Sequence, residues 1–263
     1  MISSIKKYLR RHHVVVILLG VYIVIFVSLA LSGLLFFYLR SALAFLIIAI
    51  LVFGASYLGP LWFRLFLRSK TYQGKYRGQL LDLAKKFDCE INDILVRKSN
   101  SLNACAFSYG NYKTVCFNSN VFERCSWKEI EAVMAHEVGH HLNGDIYLYT
   151  TIVTILLISF SWLGVFLLGT SGNILQLTET FLLISLILVP VELAISRWRE
   201  GMADTFAKEK LSNAQGLGKF LSEVVKDAKR DGVSIPLVPS TLRRWSATHP
   251  WIFERITRFN KGS

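Results

Sequence analysis

The residues best suited to chemistry lie in the stretch VMAHEVGHHLNGD, Val133 to Asp145, which holds His136, Glu137, His140 and His141. On a helix, positions four apart share a face, so His136 and His140 aim both imidazoles at one point, as zinc bound through Zn–N contacts of ~2.0–2.1 Å requires. Glu137 stands one position on, off that axis, where its carboxylate can take a proton from a water activated by the metal. His141 lies about 140° round the helix from His136 and is excluded as a ligand on that geometry. A catalytic zinc, one per chain, needs a third protein ligand and an open position. Glu179, Glu192, Glu200 and Glu209 follow downstream. Glu200 is the best placed, because SRWREGMAD sets Asp204 four residues later on the same helical face. Asp204 can then accept the free N–H of a ligating histidine, a contact such ligands usually make. Arg197, one turn before Glu200, can pair with either carboxylate, and Glu192, near Pro190, stays in reserve as the ligand.

These side chains need elements to hold them. SWKE, Ser126 to Glu129, is a capping-box pattern that opens the helix carrying the motif, and Gly144 can end it. Upstream, an amphipathic helix is expected over about Gly74 to Phe87. DILVRK (93–98), ACAFSY (104–109) and YKTVCFN (112–118) read as strands, the last two joined by a Gly110-Asn111 turn, so a small antiparallel sheet is expected. Helical patterns follow over about 197–211 and 214–229. VSIPLVPSTLRRWSATHP is a Pro-interrupted loop, and WIFERITRF is a last short helix. Cys89, Cys105, Cys116 and Cys125 form no CxxC pair and are expected reduced, with Cys105 and Cys116 able to face each other across the hairpin.

The 263-residue chain is 52% hydrophobic with mean hydropathy +0.41, too apolar for an ordinary soluble protein of this size. Runs long enough to cross ~30 Å of hydrocarbon cover 14–39, 41–63, 146–169 and, more weakly, 175–195. The expectation is a mainly α membrane protein with four transmembrane helices in two hairpins. The basic start SIKKYLRRHH precedes a run too long for a signal peptide, so the first span is a retained anchor. Lys and Arg cluster before the first span and after the second and fourth, which places both termini and the motif on the cytoplasmic side of the cell (inner or plasma) membrane. The organisation expected is 1–63 as basic segment and hairpin, 64–145 as the first part of the catalytic domain, 146–195 as the second hairpin, and 196–263 as the rest of that domain. The net charge of +12 sits largely beside spans, where anionic lipid accounts for it, and no nucleic-acid motif accompanies it.

AHEVGHHLNGD and SRWREGMAD together resemble the integral-membrane zinc peptidases of the HtpX type, relatives of the CAAX prenyl proteases. NACAF at 103–107 is similar to that family's edge-strand motif, and THPWIFERI at 248–256 to its T-H-P…R-I segment. The resemblance implies a cytoplasmic α+β zincin-like (gluzincin) domain that hydrolyses peptide bonds of membrane or misfolded proteins at the bilayer. It assigns zinc to His136, His140 and Glu200, the base to Glu137, and substrate pairing to Asn103, Ala104, Cys105 and Ala106. It also gives His249 a role in stabilising the oxyanion. Kinship leaves two other readings, a prenyl-protein protease and an inactive membrane scaffold that keeps the metal site.

Overall fold

The structure is a computed structural model that describes residues 68–109, 111–144, 174–211, 215–233, 235 and 249–260, with the side chains of Tyr109 and 174–189 excepted. The expected spans 14–39, 41–63 and 146–169 lie outside these residues. The fourth, 175–195, falls on a long helix described there by its backbone and, from Pro190 on, by its side chains. Among the described residues no helix is long and apolar enough to cross a membrane. The chain divides into two compact units, 1–56 with 151–184 and 57–150 with 185–263. Of the first, the described part is the helical backbone of 174–184.

Four strands form one sheet: β1 (Lys70–Thr71), β2 (Asp93–Arg97), β3 (Ala104–Tyr109) and β4 (Tyr112–Asn118), in the order β1-β2-β4-β3. The antiparallel expectation holds for β1 with β2 and for β3 with β4, but β2 runs parallel to β4, so the sheet is mixed. The cause is the connection 98–103, which carries the chain past the place β4 will take and sets β3 on the far side. β3 is therefore an edge strand, as β1 is on the other side. Asn118 N–H donates to Asn103 O at 2.9 Å, and in an antiparallel ladder bonded and non-bonded pairs alternate. Cys105 and Cys116 are thus a bonded pair, whereas Ala104 and Ala106 turn their N–H and C=O groups outward to the open edge.

Six helices are described: α1 (Arg77–Lys86), α2 (Ser119–Arg124), α3 (Trp127–Leu142), α4 (Ile174–Lys210), α5 (Gln215–Arg230) and α6 (Ile252–Asn260). At the start of α3, Glu129 Oε2 accepts from both the backbone N–H and the hydroxyl of Ser126, each at 2.7 Å, and closes the capping box. Past its end, Gly144 takes φ +65°, a left-handed turn that glycine adopts without a Cβ clash. The core gathers Ile94, Val115 and Phe117 from one sheet face, Ile130, Met134 and Val138 from α3, and Ala207, Phe220 and Phe259 from the later helices. Each of the larger of these stabilises the fold by ~1.5–3 kcal/mol when fully buried. Two close approaches set the helix positions. A Cβ on Gly139, between the motif histidines, would lie 3.1 Å from Ala203 Cα, and one on Gly216 would strike the carbonyl oxygen of Lys128.

Candidate metal centre

The turn of α3 that carries the motif faces α4 at the point where Gly139 lets the two backbones close. His136 and His140 are buried, and their Nε2 atoms lie 3.3 Å apart. From α4, Glu200 brings Oε2 to 3.4 Å from His136 Nε2 and Oε1 to 3.5 Å from His140 Nε2. A tetrahedral ion with ligand bonds of ~2.0–2.1 Å needs its donors roughly 3.3 Å apart. The spacing meets that demand without rearrangement, so the donor set fits a small divalent metal. Among the described residues this is the cluster of ligand atoms that gathers; Glu192 lies outside it.

The surrounding groups favour positive charge at the centre. Asp204 has no exposed surface, and its Oδ1 stands 3.0 Å from His136 Nδ1. Arg255 on α6 grips the same carboxylate with two bonds, Nε to Oδ2 at 2.8 Å and Nη2 to Oδ1 at 2.7 Å, and its Nη1 reaches Glu200 Oε2 at 3.5 Å. Burial alone would push His136 down, but Asp204 and Glu200 outweigh it and hold the imidazole up at about 10. Burial likewise raises Glu200, yet His249, His136 and His140 bring it well below the usual carboxylate range. Asp204 is lowered in the same way, with His136 and Arg255 overcoming its burial. Two carboxylates that stay ionised and a histidine that prefers its cation surround a place suited to a metal cation.

Glu137 is buried beside the cluster. Burial raises its carboxyl above the usual value; the two histidines and the Ala106 backbone N–H pull the other way without cancelling the effect. A carboxylate moved toward neutrality is a better proton acceptor at working pH. His141 turns away from the cluster, its Nε2 3.0 Å from Thr114 O on β4. His249, half exposed, places Nε2 3.3 Å from Glu200 Oε1. Asn103 is exposed and Ala104, Cys105 and Ala106 half-buried along the open edge.

A guanidinium that meets both carboxylates belongs to Arg255, a residue that spacing along the chain does not single out. Arg197 is half-buried on α4, a turn before Glu200. Arg255 lies 51 residues from Asp204, beyond the reach of any helical-face argument. The signal available for it was the THPWIFERI segment, which contains it.

The sequence profile of peptidase family M48 matches residues 70–262. A protein named protease HtpX homolog from Levilactobacillus brevis is 30% identical over 189 residues, covering 59% of this chain and 63% of that protein. One of the same name from Streptococcus gordonii is 29% identical over 209 residues, covering 68% and 70%. A third, from Ligilactobacillus salivarius, is 32% identical over 184 residues, covering 58% and 62%. The chain thus spans somewhat under two thirds of the length of the first and third. The crystal structure of S. mikatae Ste24p is similar in fold, with a TM-score of 0.71 at 17% identity, over 98% of this chain and 66% of that one. At that identity the likeness speaks for the fold alone. The matched span takes in the sheet, the motif helix and the distant Glu200 and Arg255 together, as the motif resemblance implies, and the chain belongs to peptidase family M48.

Proposed function

We propose that this chain is a zinc-dependent endopeptidase, anchored in the cell membrane with its catalytic part and both termini on the cytoplasmic side, that cleaves membrane or misfolded proteins. The observation that carries the reading is the convergence of His136, His140 and Glu200 at tetrahedral spacing with Glu137 buried alongside. A structural metal site has no use for that fourth group. Bound zinc would polarise the peptide carbonyl and make water easier to deprotonate. Glu137 is placed to accept that proton and to hand it to the departing amine. The outward N–H and C=O groups of Ala104 and the C=O of Ala106 offer an extended peptide a strand to pair with, while Asn103 and Cys105 flank it. His249, half exposed against Glu200, is the candidate to stabilise the oxyanion.

The membrane part of the proposal rests on the apolar runs of the sequence, one of which starts at Ile146, directly after the motif. The domain reading follows from it, with 64–145 and 196–263 forming one catalytic part between two hairpins. The decisive test is Glu137→Gln in the full chain. Zinc content should be unchanged, and cleavage of casein and of a membrane substrate should fall by about 10²–10⁴-fold, the usual worth of a general base. Retained cleavage would sink the mechanism. A stoichiometric zinc protein that cleaves no unfolded substrate, even unaltered, would favour the scaffold reading. Hydrolysis confined to farnesylated peptides would favour prenyl-protein processing.

A further inference from the structure

Cys105 on β3 and Cys116 on β4 stand directly opposite each other. As a bonded antiparallel pair their Cα atoms are ~5.5 Å apart, inside the ~4.4–6.8 Å that a disulfide spans. Side chains alternate along a strand, so both sulfurs project from one face of the sheet, in a row with Leu95 and on the side away from Val115 and Phe117. A hydrogen bond with Cys116 raises Cys105 well above the usual thiol value, and the same bond lowers Cys116. Cys89 and Cys125 differ: burial comes first among their causes, raising Cys89 and pushing Cys125 up to about 12. They should stay inert. Cys105 is half-buried and Cys116 buried, so a small oxidant meets the pair from the Cys105 side.

We propose that Cys105 and Cys116 are a redox modification site, which hydrogen peroxide converts to a disulfide that ties the edge strand to its neighbour and lowers peptidase activity. One sulfur, as thiolate, takes an oxygen from the peroxide as the O–O bond breaks, giving a sulfenic acid and hydroxide. The second thiol then attacks that sulfur and displaces water as the S–S bond forms. Two electrons leave the sulfurs and one peroxide is reduced. The consequence reaches the metal centre through the backbone. Cys105 lies between Ala104 and Ala106, and the Ala106 N–H donates to Glu137, so drawing Cys105 toward β4 displaces the strand that holds the base. The effect on activity rests on the peptidase reading above; the chemistry of the pair does not.

The test uses the full zinc-loaded chain in detergent, treated with hydrogen peroxide, alkylated and digested with trypsin. Cleavage after Lys98, Lys113 and Arg124 puts Cys105 in peptide 99–113 and Cys116 in peptide 114–124, so a disulfide joins two peptides. The linked pair should accumulate while casein cleavage falls about tenfold, as a sub-ångström shift of a substrate-aligning strand allows. Dithiothreitol should reverse both, and Cys116→Ala should keep the starting activity but lose the response. Absence of the linked peptides, their presence with unchanged cleavage, or an undiminished response in Cys116→Ala would each overturn the proposal. If Cys116→Ala folds poorly, the yield of linked peptides in the unaltered chain decides. A reduced chain with no activity at all would instead count against the peptidase reading.

Discussion

Asp204 shows how much a metal centre depends on residues that never touch the metal. A fully buried carboxylate is tolerable only when charge-assisted bonds replace its water, and Arg255 supplies two of them while His136 stands on the other side. Arg255→Lys keeps the charge but loses the fork, and should weaken zinc binding by about 10–100-fold in competition with a chelator. Arg255→Ala strands a buried charge and should cost about 3–5 kcal/mol in denaturant unfolding. Unchanged metal affinity in Arg255→Lys would remove the guanidinium from the support of the centre. Protonation gives a second expectation. His136 is held at about 10 without metal, so at neutral pH it carries a proton that a ligating imidazole must lose. Zinc binding near pH 7.5 should therefore release about one proton per chain, and affinity should rise with pH up to that value. Calorimetry in buffers of different ionisation enthalpy measures the release directly.

At the level of elements, α3 is fixed at its start by the Ser126–Glu129 box and at its end by Gly144 and by the bond from His141 to Thr114 O. The burial of His141 makes stability depend on pH. Nδ1 of His141 is buried with no hydrogen-bond partner among the described residues. Burial therefore lowers the imidazole to about 4, more than the Thr114 carbonyl can offset. The unfolded chain, with its ordinary value near 6.5, binds the proton more readily, so this contribution is present above about pH 6.5 and lost as pH falls toward 4. Between pH 7.5 and 5 the loss should reach about 2 kcal/mol, and it should shrink in His141→Gln, read from denaturation midpoints at the two pH values. The motif helix was legible in the sequence because helical period, cap and glycine stop all agree within one short stretch. The direction of β2 was not. Alternation tells which residues of a strand are inward but carries no information on which neighbour it pairs with, and a hairpin of β3 with β4 leaves β2 without an assigned side.

For the second unit as a whole, the donor cluster forms because two helices distant in sequence approach at one glycine. Gly139→Ala would place a methyl 3.1 Å from Ala203 Cα, and because that neighbour is backbone, α4 must move. Glu200 is one turn away. The variant should fold with a loss of about 1–3 kcal/mol and bind zinc more weakly, whereas Gly78→Ala, which meets nothing, should stabilise or leave the protein unchanged. Equal metal affinity in both would show that the approach is not what sets the ligand geometry. The same distance in sequence explains what the motif alone could not give. Helical spacing reaches one turn, which finds Asp204 and Arg197 from Glu200, whereas Arg255, which bonds both carboxylates, comes from another helix.

That network also sets a clock on synthesis. A growing chain owns both histidines early and the third donor at Glu200, yet the guanidinium that holds the supporting carboxylate is still 55 residues from being made. At ~5–20 residues per second that interval is roughly 3–11 s. During it the newborn chain holds an unbraced cluster of donors, and the proposed hydrolysis would wait on the arrival of α6. The order of residues along the chain would thus keep that proposed activity silent until the brace is made.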